Sequence, residues 1–86
     1  MDDLAARVIG ILAAQALVDP ASVAPDARLT DLGLDSLGLV EAIFAIEEAF
    51  GVHVPFNANA PEASGFDIST VASVVEGVRR LVAAKA

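Results

Sequence analysis

Apolar residues recur at helical spacing in three separate stretches of this 86-residue chain. In the last stretch they follow the 3.6-residue period of an α-helix: Val71, Val74, Val75, Val78, Leu81 and Val82. Similar patterns cover residues 3–17 and 36–50, and the one alternating stretch, residues 52–56, is interrupted by Pro55. A chain of this length normally forms one domain, so we predict a single all-α domain over residues 1–86.

Turn and capping residues mark the ends of these helices. Asp2 or Asp3 caps the first helix, Gly51 follows the second, and Ser69 or Thr70 caps the last. The second helix is expected to face the core with one stripe of apolar residues, Val40, Ile43, Ile46 and Phe50, with Leu39 at its edge.

Two irregular segments join the helices. The first, residues 18–35, is long for a structureless loop, and we expect its apolar residues to pack over the bundle: Val23, Leu29, Leu32 and Leu34. The second, residues 52–69, is expected to hold a short helical turn near Glu62 to Ser64. The predicted architecture is therefore a small four-helix bundle, with three main helices and one short helix.

Charge restricts the partners that this chain can bind. Twelve acidic and five basic residues give a net charge of −7, and the segment from Asp19 to Glu62 holds eight acids against one base, Arg28. Nucleic acid and anionic membrane surfaces are disfavoured, because both require clustered Lys and Arg. A basic protein surface is favoured, because complementary charge speeds encounter and selects partners.

The residue inventory argues against several other classes of protein. The chain has no cysteine and one histidine, so we predict no disulfide and no zinc site. No stretch approaches the length of a membrane span, and the first residues lack a basic signal-peptide region, so we expect a cytoplasmic protein. No base–nucleophile pair is evident, so we do not expect an enzyme.

The segment LTDLGLDSLGLVEAIFAIEEAF, residues 29–50, places Ser36 where a glycine-containing loop becomes a helix. By residue type alone, a serine or aspartate at this position is most often a helix N-cap. The surrounding pattern closely resembles the acyl carrier proteins and other phosphopantetheine-binding domains. The resemblance runs over residues 29–55 and resumes at residues 68–71, and these matches are in register: Leu32-Gly33, Asp35-Ser36-Leu37, Val40-Glu41, Ile46-Glu47-Glu48, Phe50-Gly51 and Val54-Pro55.

This resemblance implies that a phosphopantetheinyl transferase attaches 4′-phosphopantetheine from coenzyme A to Ser36. Acyl groups would then be carried as thioesters on the thiol of that arm, and the acyl chain could enter between the helices. Asp35 and Leu37 would flank the attachment site, with Asp35 helping the transferase to engage. A phosphodiester on Ser36 would lie at a helix N-terminus, which favours an anion.

The resemblance also implies that acyl-transferring or synthase enzymes dock on the second helix through basic surfaces. Acidic and apolar residues recur there at spacings of three to four, with Phe44 as the expected apolar anchor. The predicted docking residues are Leu37, Val40, Glu41, Phe44, Glu47 and Glu48. An ordinary solvated helix face is the alternative interpretation, and His53 is expected to be a surface residue without chemistry.

The chain departs from the family pattern at Gly38, where an acidic or polar residue is common, so that one charge is missing there, and at Ala42, where a larger aliphatic residue is common. The segment from Phe56 to Phe66 is longer than usual and nearly uncharged, which suggests a carrier specialised for an unusual or very long acyl chain. We expect a discrete, monomeric type II carrier, because the chain starts at Met1 and ends shortly after the last helix. A peptidyl or aminoacyl carrier, or a helical interaction module without a prosthetic group, are the alternatives.

Overall fold

The computed structural model describes residues 3–55 and 66–85, and these residues fold into three α-helices and two short 3₁₀ helices. The α-helices are α1 (Asp3–Ala16), α2 (Ser36–Phe50) and α3 (Val71–Lys85). The 3₁₀ helices, Pro20–Ser22 and Leu29–Leu32, lie in the segment between α1 and α2. The all-α prediction is confirmed, whereas the predicted short helix near Glu62 to Ser64 lies outside the described residues.

The core lies between the three helices, and α1 packs against both α2 and α3. Its buried side chains are almost all aliphatic: Val8, Ile9, Leu12, Ala13, Val23, Leu29, Leu39, Ala42, Ile43, Ile46, Val54, Phe66, Val71, Val74, Val75 and Val78. Removing such side chains from water is the main favourable contribution to folding. None of the helices in the described part of the chain is long and apolar enough to cross a membrane.

The prediction that Val40 of α2 lies in the core is wrong. Val40 is only half-buried, while Leu39 and Ala42 are buried beside the correctly predicted Ile43 and Ile46. Each residue of an α-helix is rotated by about 100° from the one before it. Val40 therefore points well away from the face that Leu39 presents to the core.

The segment between α1 and α2 packs on the bundle as predicted. Val23 and Leu29 are buried, and Leu32 and Leu34 pack against the core from partly buried positions. The carbonyl oxygens of Pro25 and Ala27 accept hydrogen bonds from the N–H groups of Ala72 and Val71, at 2.8 and 2.9 Å. These bonds satisfy backbone donors that the first turn of α3 leaves without a helical partner.

Thr70 caps α3, as one of the two predicted alternatives. Its Oγ1 accepts a hydrogen bond from the Ser73 N–H at 3.1 Å, and the Ser73 Oγ accepts one from the Thr70 N–H at 3.0 Å. Ser69, the other alternative, instead donates from its hydroxyl and its N–H to Asp67. These hydrogen bonds hold the pKa of the Asp67 carboxyl below its usual value.

The C-terminus of α2 is held by cations from both other helices. Gly51 adopts a left-handed conformation (φ 64°) that ends the helix, as its position in the sequence predicts. Arg7 of α1 donates to the Ala49 carbonyl at 3.1 Å and lies over the Phe50 ring, and Lys85 of α3 donates to the Phe50 carbonyl at 2.7 Å. Positive charge is favourable here because a helix C-terminus carries partial negative charge.

Phe66 packs on α3 at the position of a glycine. A Cβ atom added to Gly77 would lie 2.5 Å from a ring carbon of Phe66, which is closer than real contacts allow. The ring and the helix backbone therefore approach each other only because residue 77 has no side chain.

We expect Gly77→Ala to destabilise the fold by about 1–3 kcal/mol, because the added methyl group overpacks this contact. Gly10→Ala is the matched control, since a Cβ on Gly10 would meet no atom within 4 Å. The control should gain about 0.5–1 kcal/mol from improved helix propensity. Urea unfolding measures both free energies, and a Gly77→Ala protein as stable as the wild type would contradict the close packing.

Candidate functional site

Ser36 is the first residue of α2, but it is not the residue that caps the helix. Asp35 occupies the N-cap position with extended backbone angles (φ −88°, ψ −175°). Its Oδ1 accepts a hydrogen bond from the Gly38 N–H at 2.7 Å, and its carbonyl accepts one from Leu39 at 2.9 Å. The capping role therefore belongs to Asp35, and Ser36 is exposed to solvent.

The chain reaches this N-terminus through a glycine that requires its conformational freedom. Gly33 ends the 3₁₀ helix Leu29–Leu32 in the left-handed region (φ 85°), and its N–H donates to the Thr30 carbonyl at 3.1 Å. A residue with a Cβ would be strained at this φ. Gly33 thus turns the chain so that Leu34 packs on the core and Asp35 begins α2.

Gly38, one departure from the family pattern, supports the cap directly. A Cβ at this position would lie 3.2 Å from the Asp35 Oδ1 and 3.4 Å from a Leu34 side-chain carbon. The absent side chain leaves room for the carboxylate to lie against the first turn. Glycine at position 38 therefore lacks the charge that is common in the family, and it leaves the Asp35 carboxylate free to accept the Gly38 N–H at 2.7 Å.

The exposed face of α2 carries the residues that the sequence assigned to docking, with two exceptions. Leu37 and Phe44 are 67% and 63% exposed, and Glu41 and Glu48 are exposed on the same side of the helix. Four positions at spacings of four, three and four residues share one helix face. We call this set (Leu37, Glu41, Phe44 and Glu48) the exposed α2 face.

Val40 and Glu47 lie on the flanks of α2 and not on the exposed α2 face. Val40 is half-buried, as described above. The Glu47 Oε2 accepts a hydrogen bond from the Val54 N–H at 2.7 Å and lies 3.3 Å from the Nδ1 of His53. Glu47 thus fastens the segment that follows α2, which is a structural role that the sequence pattern did not reveal.

The His53 side chain is 90% exposed, which matches its predicted place on the surface. Within the described ranges, residues 3–55 and 66–85, no group of three or more His, Asp and Glu residues could hold a metal ion.

A groove of about 320 Å³ lies between the end of α1 and the start of α2. It is lined by residues from both helices and from the turn before α2: Gln15, Ala16, Leu17, Gly33, Leu34, Asp35, Leu37, Gly38 and Glu41. Sequence reasoning missed Leu17 as part of this site. The available signal was a leucine directly after the last residue of α1, where glycine is usual.

Comparison with known proteins shows the family. A protein-family model described as "Phosphopantetheine attachment site" matches residues 6–78. The acyl carrier protein of Thermosynechococcus vestitus is 39% identical over 79 residues, which cover 91% of this chain and 90% of that protein.

Two other relatives match shorter stretches. An acyl carrier protein of Helicobacter pylori strain G27 is 52% identical over 46 residues, which cover 52% of this chain and 59% of that protein. Acyl carrier protein 2, mitochondrial, of Arabidopsis thaliana is 46% identical over 52 residues, which cover 59% of this chain and 41% of that protein.

The residues at the start of α2 fit a phosphodiester-linked group. A hydroxyl is exposed there, and the N–H groups of Ser36 and Leu37 belong to the first turn, where the helix supplies no acceptor. The positive end of the helix dipole favours the negative charge of a phosphate. Together with the match over residues 6–78, these features show that the chain belongs to the acyl carrier proteins, which bear a covalently attached 4′-phosphopantetheine.

Proposed function

We propose that Ser36 is the residue that carries 4′-phosphopantetheine in this acyl carrier protein. The observation that carries the proposal is the exposed Ser36 hydroxyl at the first turn of α2, beside a cap that Asp35 supplies. When attached, the group supplies the thiol on which an acyl chain is held as a thioester. The chain has no cysteine of its own to offer that chemistry.

Ser36 acts as a substrate for another enzyme and not as a catalyst. A serine hydroxyl is a weak nucleophile unless a base lies beside it. The nearest carboxylate in sequence, Asp35, uses its Oδ1 to accept the Gly38 N–H. We expect the transferase to supply the base for the transfer. The relatives named as acyl carrier proteins support a carrier over the peptidyl-carrier and cofactor-free alternatives.

We expect wild-type protein incubated with coenzyme A, magnesium and a broad-specificity phosphopantetheinyl transferase to gain one phosphopantetheine in intact mass. Ser36→Ala should gain none, because the accepting oxygen is gone. Ser22→Ala is the matched control, since Ser22 is an exposed serine at the end of the first 3₁₀ helix. A gain of phosphopantetheine by Ser36→Ala would contradict the proposal. So would wild-type protein that is folded and unmodified at the start and shows no gain in mass after incubation.

Asp35 has two roles in this proposal, and two substitutions separate them. Asp35→Asn keeps a good N-cap but removes the negative charge, whereas Asp35→Ala removes both. We expect Asp35→Asn to retain nearly full stability and to be modified at least tenfold more slowly, because the transferase meets a neutral side chain. Asp35→Ala should also lose about 1 kcal/mol in urea unfolding. Equal modification rates for Asp35→Asn and the wild type would show that Asp35 acts only as a helix cap.

The exposed α2 face is the proposed docking surface for enzymes that exchange acyl groups with the carrier. Leu37 and Phe44 offer apolar contact, and Glu41 and Glu48 place negative charge beside them. An apolar centre with a polar rim is the usual arrangement of a protein–protein interface, and complementary charge speeds the encounter with a basic partner. Val40 and Glu47 contribute less than the sequence suggested, because one is half-buried and the other is bound to the Val54 N–H.

We expect Glu41→Gln with Glu48→Gln to slow association with a basic partner enzyme, and the wild-type rate to fall as salt is added. Each substitution removes one charge and keeps the shape of the side chain. Glu76→Gln is the control, because Glu76 is an exposed glutamate on α3. Stopped-flow association measures these rates, and slowing in proportion to the number of charges removed, from either helix, would mean that only net charge matters.

Four features remain predictions of the sequence: a cytoplasmic location, a single domain over residues 1–86, a monomeric state and a specialised acyl chain. The segment on which the last of these depends, Phe56 to Phe66, lies outside the described residues except for Phe66.

A further inference from the structure

Leu17 follows α1 in a backbone conformation that suits glycine. The Leu17 N–H donates to the Ala14 carbonyl at 3.3 Å, and the Val18 N–H donates to the Ala13 carbonyl at 3.0 Å. This pair of hydrogen bonds is the Schellman arrangement that ends many helices. Leu17 has a φ of 59°, and a side chain is strained there because its Cβ approaches the backbone.

The Leu17 side chain makes no burial contribution to folding that would offset this strain. It is 92% exposed, the most exposed of the large apolar residues among those described. An exposed leucine keeps its apolar surface in water and gains none of the benefit of burial. The fold by itself would be served better by glycine at this position, so the leucine points to a use outside the fold.

The position of Leu17 suggests what that use is. Leu17 and Leu37 both line the groove between α1 and α2, and the same groove has Asp35 and Glu41 in its wall. Ser36 lies between Asp35 and Leu37 in the chain. The groove that these four residues line therefore includes both chain neighbours of Ser36, while Ser36 itself is not among its lining residues.

An enzyme that transfers a group to Ser36 must cover the residues on each side of it, because transfer in competition with water requires a closed site. Those residues, Asp35 and Leu37, belong to the groove that Leu17 also lines. The acidic wall favours a partner with basic side chains. The apolar pair favours a partner that places an apolar side chain between the two leucines.

We propose that Leu17 is an apolar anchor for the phosphopantetheinyl transferase, so that the transferase surface on this carrier extends from α2 across the groove to the end of α1. An apolar side chain of the transferase packs between Leu17 and Leu37, and basic side chains face Asp35 and Glu41. This inference rests on the proposed attachment at Ser36, and it assigns Leu17 to binding and not to the transfer step.

Leu17→Gly tests the proposal, because it removes the side chain and relieves the backbone at once. We expect the melting temperature to equal or exceed that of the wild type. With a broad-specificity phosphopantetheinyl transferase and coenzyme A, we expect KM for the carrier to rise at least fivefold while kcat stays within twofold. A gain in stability with a loss of binding is a combination that a structural role for Leu17 would not produce.

Two further variants accompany this measurement. Leu37→Ala removes the opposite apolar wall of the groove and should also raise KM. Val18→Ala is the control, since Val18 is the next residue along the chain, is exposed, and does not line the groove. Its KM should stay within twofold of the wild type.

Each of four outcomes would overturn the proposal. The first is a KM for Leu17→Gly within twofold of the wild-type value. The second is a melting temperature of Leu17→Gly below that of the wild type, because the side chain would then stabilise the fold. A third is a wild-type dimer in sedimentation that Leu17→Gly dissolves, because the apolar pair would then bind a second copy of this chain. The fourth is a wild type that gains no phosphopantetheine, in which case the attachment at Ser36 fails and this inference fails with it.

Discussion

The hydrogen bond from the Gly38 N–H to the Asp35 carboxylate, at 2.7 Å, determines where α2 begins, and the rest of the site depends on that start. A helix start fixes the rotation of every later residue, at about 100° each. With the start at Asp35, Leu39, Ile43 and Ile46 are buried in the core, and the opposite side of α2 is exposed to solvent. Because Asp35 supplies the cap, the neighbouring serine keeps an exposed side chain at the positive end of the helix.

The other end of α2 is tied to the rest of the bundle by different means. Arg7 and Lys85 reach the last carbonyls of α2 from α1 and α3, and the Glu47 carboxylate holds the Val54 N–H of the segment that follows. These contacts join parts of the chain up to 42 residues apart. A helix held at both ends presents its exposed face in a constant orientation, which a docking surface requires.

Stability and function place opposite demands on several positions of this small domain. Phe66 on Gly77 and the aliphatic core bury apolar surface, as folding requires. Leu17, Leu37 and Phe44 do the reverse, because they hold large apolar side chains in water around one end and one face of α2. Exposed apolar residues grouped beside acidic ones are typical of a surface that awaits a partner.

Helical periodicity and local capping chemistry were enough to predict the three helices and the ends of α2, and they narrowed the cap of α3 to Ser69 or Thr70. These features are local, because they depend on residues within about one helical turn of each other. The resemblance to acyl carrier proteins, carried by residues 29–55 and 68–71, identified the family and its cofactor without any knowledge of tertiary contacts.

Other features were decided only by tertiary structure, because they depend on residues that are distant in sequence. Val40 looked like a core residue by spacing, but the bundle meets α2 on the side of Leu39 and Ala42. Glu47 is predicted as a docking acid, and only the tertiary structure shows that the chain after α2 returns to place the Val54 N–H against its carboxylate. The groove that joins Leu17 to Leu37 exists only because the end of α1 packs beside the start of α2. The sequence by itself therefore determined the helices and the family, because these depend on local patterns, whereas packing between helices decided which side chains are buried and which are exposed.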